Sequence, residues 1–209
     1  MSTRVAKRQS VMRKEPKQAR SRVTVEAIVE AGARILAEEG WAGFTTNRIA
    51  EVAGVSIGSL YQYFPDKLAL VDAIRHRHLN DSMEVMRRVR ADGISPEQFA
   101  AQLVTAVVAI HSIHPGLHRV LLDEAPTFEK YRDPHSDFER EYLTYYAEAV
   151  ATFRERAPNE ADHVSGRVIS DAIDGVIHNA ARRGAVSDPM MQLELVRLVR
   201  SYLANDRYS

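Results

Sequence analysis

TTNRIAEVAGVSIGSLYQYFPDK, residues 45–67, divides into two short amphipathic segments around one glycine. Thr45 or Thr46 offers a side-chain oxygen to cap a first helix. Ile49, Val52 and Ala53 then fall three and four apart and mark one buried face. Gly54 follows at once, where the chain must turn sharply and a left-handed backbone costs glycine little. Val55 can fill the angle between the segments. Ser56 is placed to cap a second helix, from about Ile57 to Phe64. Pro65-Asp66 closes it, because the residue before a proline is disfavoured in the helical region. Spacing and chemistry together predict a helix-turn-helix.

The second helix has an unusual exposed side. Leu60 and Phe64 can face a core, whereas Ile57, Gly58, Ser59, Tyr61, Gln62 and Tyr63 stand where a solvated helix carries Lys and Glu. Gly58 costs about 1 kcal/mol against alanine inside a helix. At the start of a groove-entering helix it lets backbone approach base edges closely. The competing reading is an ordinary helical hairpin that tolerates a glycine.

Formal net charge is zero over 209 residues, but the charges are segregated. Residues 1–90 hold 16 Lys and Arg against 10 Asp and Glu, and residues 91–209 hold 12 against 18, so the halves carry +6 and −6. The helix-turn-helix lies in the basic half, as expected of a DNA-binding head on a non-binding body. The first 22 residues contain Arg4, Lys7, Arg8, Arg13, Lys14, Lys17, Arg20 and Arg22 against Glu15. Residues 1–21 read as a flexible arm that either follows DNA or simply solubilises, with DNA contact favoured for Lys17 to Arg22. With no cysteine, disulfides and thiolate metal sites are excluded. No apolar run reaches the ~18 residues of a membrane span, and no apolar core follows the basic N-terminus as in a secretory signal. A cytoplasmic protein is the expectation.

Beyond the basic arm the pattern is helical throughout, and no strand-like alternation interrupts it. Helices are expected over about 22–39, 66–90, 96–113, 117–124, 137–156, 160–183 and 189–204, which with the two above makes about nine and an all-α fold. Gly40 ends the first, and Trp41 and Phe44 anchor the loop after it. Thr127–Ser136 reads as a polar loop. The expected domains are the arm, a helix-turn-helix domain over 22–67, and a helical sensor and dimerisation domain over 68–209.

Glu39-Gly40, Phe44-Thr45-Thr46, Ile49-Ala50, Ala53-Gly54-Val55-Ser56, Leu60-Tyr61-Gln62-Tyr63-Phe64 and Lys67-Leu68 together resemble the TetR family of transcriptional regulators. The resemblance is densest from Val25 to Ile74. It implies a homodimer reading a palindromic operator in double-stranded DNA, paired through the last two long helices and released by a small molecule in the C-terminal domain. The small residues Ala172, Gly175, Ala180 and Ala181, and the apolar Leu193, Val196, Leu198, Val199, Tyr202 and Leu203, independently suit such pairing. Carried over by position, Thr45 and Thr46 contact phosphates, Asn47 a base edge or phosphate, and Ile57, Gly58 and Ser59 lead the recognition helix after its cap Ser56. Tyr61, Gln62 and Tyr63 contact phosphates or bases, with Tyr61 alternatively in the core, and Lys67 a phosphate. No arginine lies on the recognition helix, which leaves the operator sequence open. The alternative is a DNA-binding regulator without a small-molecule effector, controlled by a protein partner or acting architecturally.

Candidate pocket residues are Met86, Val107, His111, Tyr142, Tyr145, Tyr146, Asp174 and His178, each of which also reads as plain core. His111, His114 and His118, with Asp123 and Glu124, invite a metal reading, but Pro115-Gly116 interrupts the helix between them, so no metal is expected. His76 and His78 lie about 200° apart around a helix and cannot share one ion. No cofactor is expected. Nucleophile motifs, phosphate-binding glycine loops, metalloprotease helices and paired carboxylates are absent, so neither is an enzyme.

Overall fold

The computed structural model of the chain describes residues 18–126 and 136–204. The basic segment before Gln18, most of the loop expected over 127–136, and residues 205–209 lie outside that range. Among the described residues there are nine helices and no strand. They are α1 (Ala19–Gly43), α2 (Thr46–Ala53), α3 (Ile57–Tyr63), α4 (Lys67–Met86), α5 (Pro96–Ile113), α6 (Leu117–Asp123), α7 (Asp137–Phe153), α8 (Glu160–Arg182) and α9 (Pro189–Ala204). Among the described residues no helix is long and apolar enough to cross a membrane.

Two local expectations are corrected. Helix α1 starts at Ala19, before Arg22, because Ser21 Oγ donates to the Gln18 carbonyl at 2.7 Å and accepts from Gln18 N at 3.2 Å. Arg20, expected in the arm, therefore stands with Arg22 on the helix. In α2 the buried pair is Ile49 and Ala50, with Val52 and Ala53 only half-buried. A helix of 8 residues makes little more than two turns, so only its middle is covered. Gly40 breaks the helical run at φ 67°, and a last short turn follows it.

The described chain falls into two compact units, one holding 18–77 with 120–126 and the other 78–119 with 136–204. The division between the units falls within α4. Buried Arg75 explains part of this: it pairs with Asp72 at 3.1 Å and donates to the carbonyl of Leu121 at 3.2 Å. Trp41 N donates to Glu124 Oε2 at 3.3 Å, tying the same short segment to the loop after Gly40. The core of this first unit is Ile28, Leu36, Phe44, Ile49, Leu60, Phe64 and Ile74, all at 0% exposure.

In the second unit α5, α7, α8 and α9 enclose Phe99, Leu103, Tyr146, Ile173 and Val199. Helices α7 and α8 approach so closely at Gly166 that a Cβ there would stand 2.9 Å from the Ala147 backbone nitrogen. In the first turn of α8, Asp162 is fully buried and accepts from Arg154 Nη1 and Arg156 Nη2, both at 2.8 Å, and from Asn159 N at 2.9 Å. Asn159 returns a side-chain bond to Asp162 N, completing a capping box.

Candidate nucleic-acid interface and sensor interior

Thr45 caps α2 by accepting from Arg48 N at 3.2 Å, and Gly54 ends it in the left-handed region at φ 67°. Ser56 caps α3 by accepting from Ser59 N at 3.1 Å. Leu60 and Phe64 are buried, so α3 is held by one face and offers the other to solvent. On that open face Ile57 is 39% and Tyr61 41% exposed, a burial profile unlike that of a core tyrosine. Tyr61 Oη lies 3.1 Å from Thr46 Oγ1, so the recognition helix is tied to the start of α2. Asn47, Gly58 and Gln62 are exposed, while Ser59 and Tyr63 are half-buried. Lys67 Nζ stands 3.8 Å above the centre of the Trp41 ring, a cation–π contact that leaves its charge intact.

This helix-turn-helix falls within residues 28–74, which match the family of bacterial regulatory proteins of the tetR type. Residues 95–203 match the tetracyclin repressor-like C-terminal domain, which alone covers half the chain. The chain belongs to the TetR family. Its similarity to individual TetR proteins is modest. It is 30% identical over 129 residues to the HTH-type transcriptional repressor KstR2 of Rhodococcus jostii, covering 61% of this chain and 58% of that protein. It is 29% identical over 92 residues to the nucleoid occlusion factor SlmA of Haemophilus ducreyi, covering 44% of this chain and 46% of that one. The chain thus spans about half the length of these curated relatives. Among solved structures, the fatty acid degradation regulator FadR from Bacillus halodurans aligns with a TM-score of 0.65 over 93% of this chain and 99% of its own, at 18% identity. At that identity the likeness speaks for the fold alone. As a TetR-family member the chain is a transcription regulator with a helix-turn-helix DNA-binding domain.

The expected TetR pocket residues divide between two places within the second unit. Tyr145 lines a cleft of about 690 Å³ with Met83, Val89, Phe99, Thr152 and Arg156, and its hydroxyl donates to the Val89 carbonyl at 2.8 Å. Burial pushes the Tyr145 phenol well above its ordinary value, with Tyr142 adding to the effect. Met86, Val107, Tyr142 and Tyr146 belong instead to the core. There Tyr142 donates to Asp174 Oδ1 at 3.4 Å and meets the Tyr146 ring edge-on, with ring centres 5.2 Å apart. Tyr146 is raised well above the usual phenol range, first by burial and then by neighbouring Tyr142 and Asp174.

Four imidazoles continue this polar interior. His111 lies 5.7 Å from His178 and 4.6 Å from His118, and His118 lies 3.9 Å from His178, measured between ring centres. His78 joins them from α4, its Nε2 2.9 Å from His118 Nδ1. Although Pro115-Gly116 interrupts the helix between them, which left convergence open, His111 and His118 do meet. His114 stands at the C-terminal cap of α5, and Glu124 accepts from Trp41 N within the first unit. His76 is exposed, in keeping with its angular separation from His78.

Proposed function

We propose that the protein is a homodimeric repressor that reads a palindromic operator with α3 and is released by a small molecule bound in its C-terminal unit. The observation that carries this reading is the α3 face: a helix capped at Ser56 and anchored by Leu60 and Phe64, with its small, polar and aromatic side left open. Ile57, Gly58 and Ser59 approach base edges, with Ile57 suited to a thymine methyl. Thr45, Thr46, Asn47, Tyr61, Gln62, Tyr63 and Lys67 position the head on phosphates, aided by the N-terminal end of α2. Repression is supported by the name of KstR2, a transcriptional repressor.

Dimerisation is assigned to α8 and α9. Val164, Val168, Met190, Leu193, Leu198 and Tyr202 on these helices are 37–64% exposed, an apolar surface that one chain leaves uncovered. The polar interior and the cleft at Tyr145 support an effector in the same unit. Helix α4 runs without a break from Lys67, just after the recognition helix, to Met86 beside that core. An effector that favours one arrangement of α4 by ~1–3 kcal/mol would change operator occupancy usefully. The SlmA relative is named for nucleoid occlusion rather than for an effector, and a purely protein-controlled regulator is the second reading.

Leu198→Glu tests the assignment. The residue is 44% exposed, so the substitution leaves the monomer folded. Light scattering is expected to show a monomer, and binding to palindromic DNA to weaken by about 100-fold as the second half-site contact ceases to be intramolecular. A variant that remains dimeric and binds normally would remove α9 from the interface.

A further inference from the structure

We propose that His78, His111 and His118 form a binding site for a borderline divalent transition ion, zinc foremost, with a fourth coordination position open. One nitrogen from each imidazole lies within 4.8 Å of those from the other two, although the residues come from α4, α5 and α6. Zinc–nitrogen bonds of about 2.0–2.1 Å in a tetrahedron place ligand nitrogens about 3.3 Å apart. The 2.9 Å between His78 Nε2 and His118 Nδ1 is therefore slightly less than a tetrahedral edge. Opening that contact by a fraction of an ångström would admit the ion.

His111 is prepared for ligation by its backbone partner. Its Nδ1 lies 2.8 Å from the Val107 carbonyl, which can only accept, so the ring proton sits on Nδ1 and the lone pair on Nε2. That Nε2 is buried and has no hydrogen-bond partner among the described residues. A donor bond from the second ring nitrogen to a carbonyl is the usual means by which proteins orient a ligating imidazole.

The donor set selects the class of ion. Three imidazoles with no thiolate suit zinc, nickel, cobalt or copper, whereas magnesium and calcium require oxygen. Three protein ligands leave one position for water or for an anionic group of a small molecule. His178, its ring tilted against that of His118 with centres 3.9 Å apart, lies beside the three. With ligands from three successive helices, the ion would fix the second half of α4 against α5 and α6.

The test uses tag-free, full-length protein stripped with a chelator and titrated calorimetrically with zinc chloride, then with cobalt chloride. One ion per chain is expected, with the d–d bands of four-coordinate cobalt. His78→Gln and His118→Gln should each weaken binding by about 100-fold, while His76→Gln, an exposed change on the same helix, should leave it unaltered. Uptake that survives both His78→Gln and His118→Gln would overturn the site. So would a folded parent protein that takes up neither ion, which would leave a hydrogen-bonded imidazole cluster. The cobalt spectrum of the parent decides even if a variant misfolds. Because metal is read and DNA is not, failure here leaves the regulator reading standing, and failure of DNA binding leaves the metal site testable.

Discussion

Replacing Gly58 with glutamate is expected to weaken operator binding by about 100-fold while leaving the fold as stable as before. A Cβ at Gly58 would meet only Ser56 Oγ, at 3.9 Å, so the free protein has room for a side chain. Removing a glycine from a helix gains up to about 1 kcal/mol, and a carboxylate in the first turn agrees with the helix dipole. On DNA the same carboxylate faces phosphates and holds the backbone away from the groove. A loss of about 1.5 kcal/mol at each half-site, within the range for one base contact, doubles in a dimer to about 3 kcal/mol. Fluorescence anisotropy with palindromic DNA and a parallel urea titration separate the two effects. Affinity within about threefold of the parent would mean that α3 does not enter the groove at Gly58.

Asp162→Asn is expected to destabilise the protein by about 3 kcal/mol, because it leaves half-buried Arg154 and partly exposed Arg156 facing a buried, uncharged group. Asp162 has 0% exposure and Arg154 15%. Burial alone would raise the Asp162 carboxyl, but hydrogen bonds from Arg156, the Asn159 backbone and Arg154 outweigh it and leave the group below its ordinary value. A lowered carboxylate contributes stability that is fully present above the unfolded value, about 3.9, and is lost as pH falls through the folded one. The parent should therefore lose stability below about pH 4 more steeply than the variant, whose amide does not titrate. Chemical denaturation across pH 3–7 reads both the size and the slope. A loss below about 1 kcal/mol with an unchanged pH profile would show that the triad contributes little.

The helix-turn-helix was legible because each of its parts has a local cause. Ser56 caps, Gly54 turns and Leu60 with Phe64 anchors, and none of these depends on distant residues. The ends of α1 and the middle of α2 were less so, since a side-chain cap by Ser21 and coverage of a two-turn helix are settled by neighbours. The unit boundary inside α4 was hidden for the same reason: Arg75 reaches carbonyls 46 and 50 residues away in sequence. The histidine cluster left a fainter trace. His78 continues the Val71–Ile74 stripe and His111 the Val104–Val107 stripe, each at spacings of three and four. A histidine on an apolar stripe marks a buried imidazole, but periodicity within one helix does not say which other helix supplies its neighbours. Considering His76 with His78, and His114 with His111, paired residues by sequence distance when the fold pairs them by face.

Selection from a random-sequence DNA library with the protein reads out what α3 recognises. Enrichment of an inverted repeat is expected, with half-site centres about 34–36 Å apart or at a multiple of the helical turn. Enrichment of no sequence, or of a single unrepeated half-site, would contradict a homodimer reading a palindromic operator.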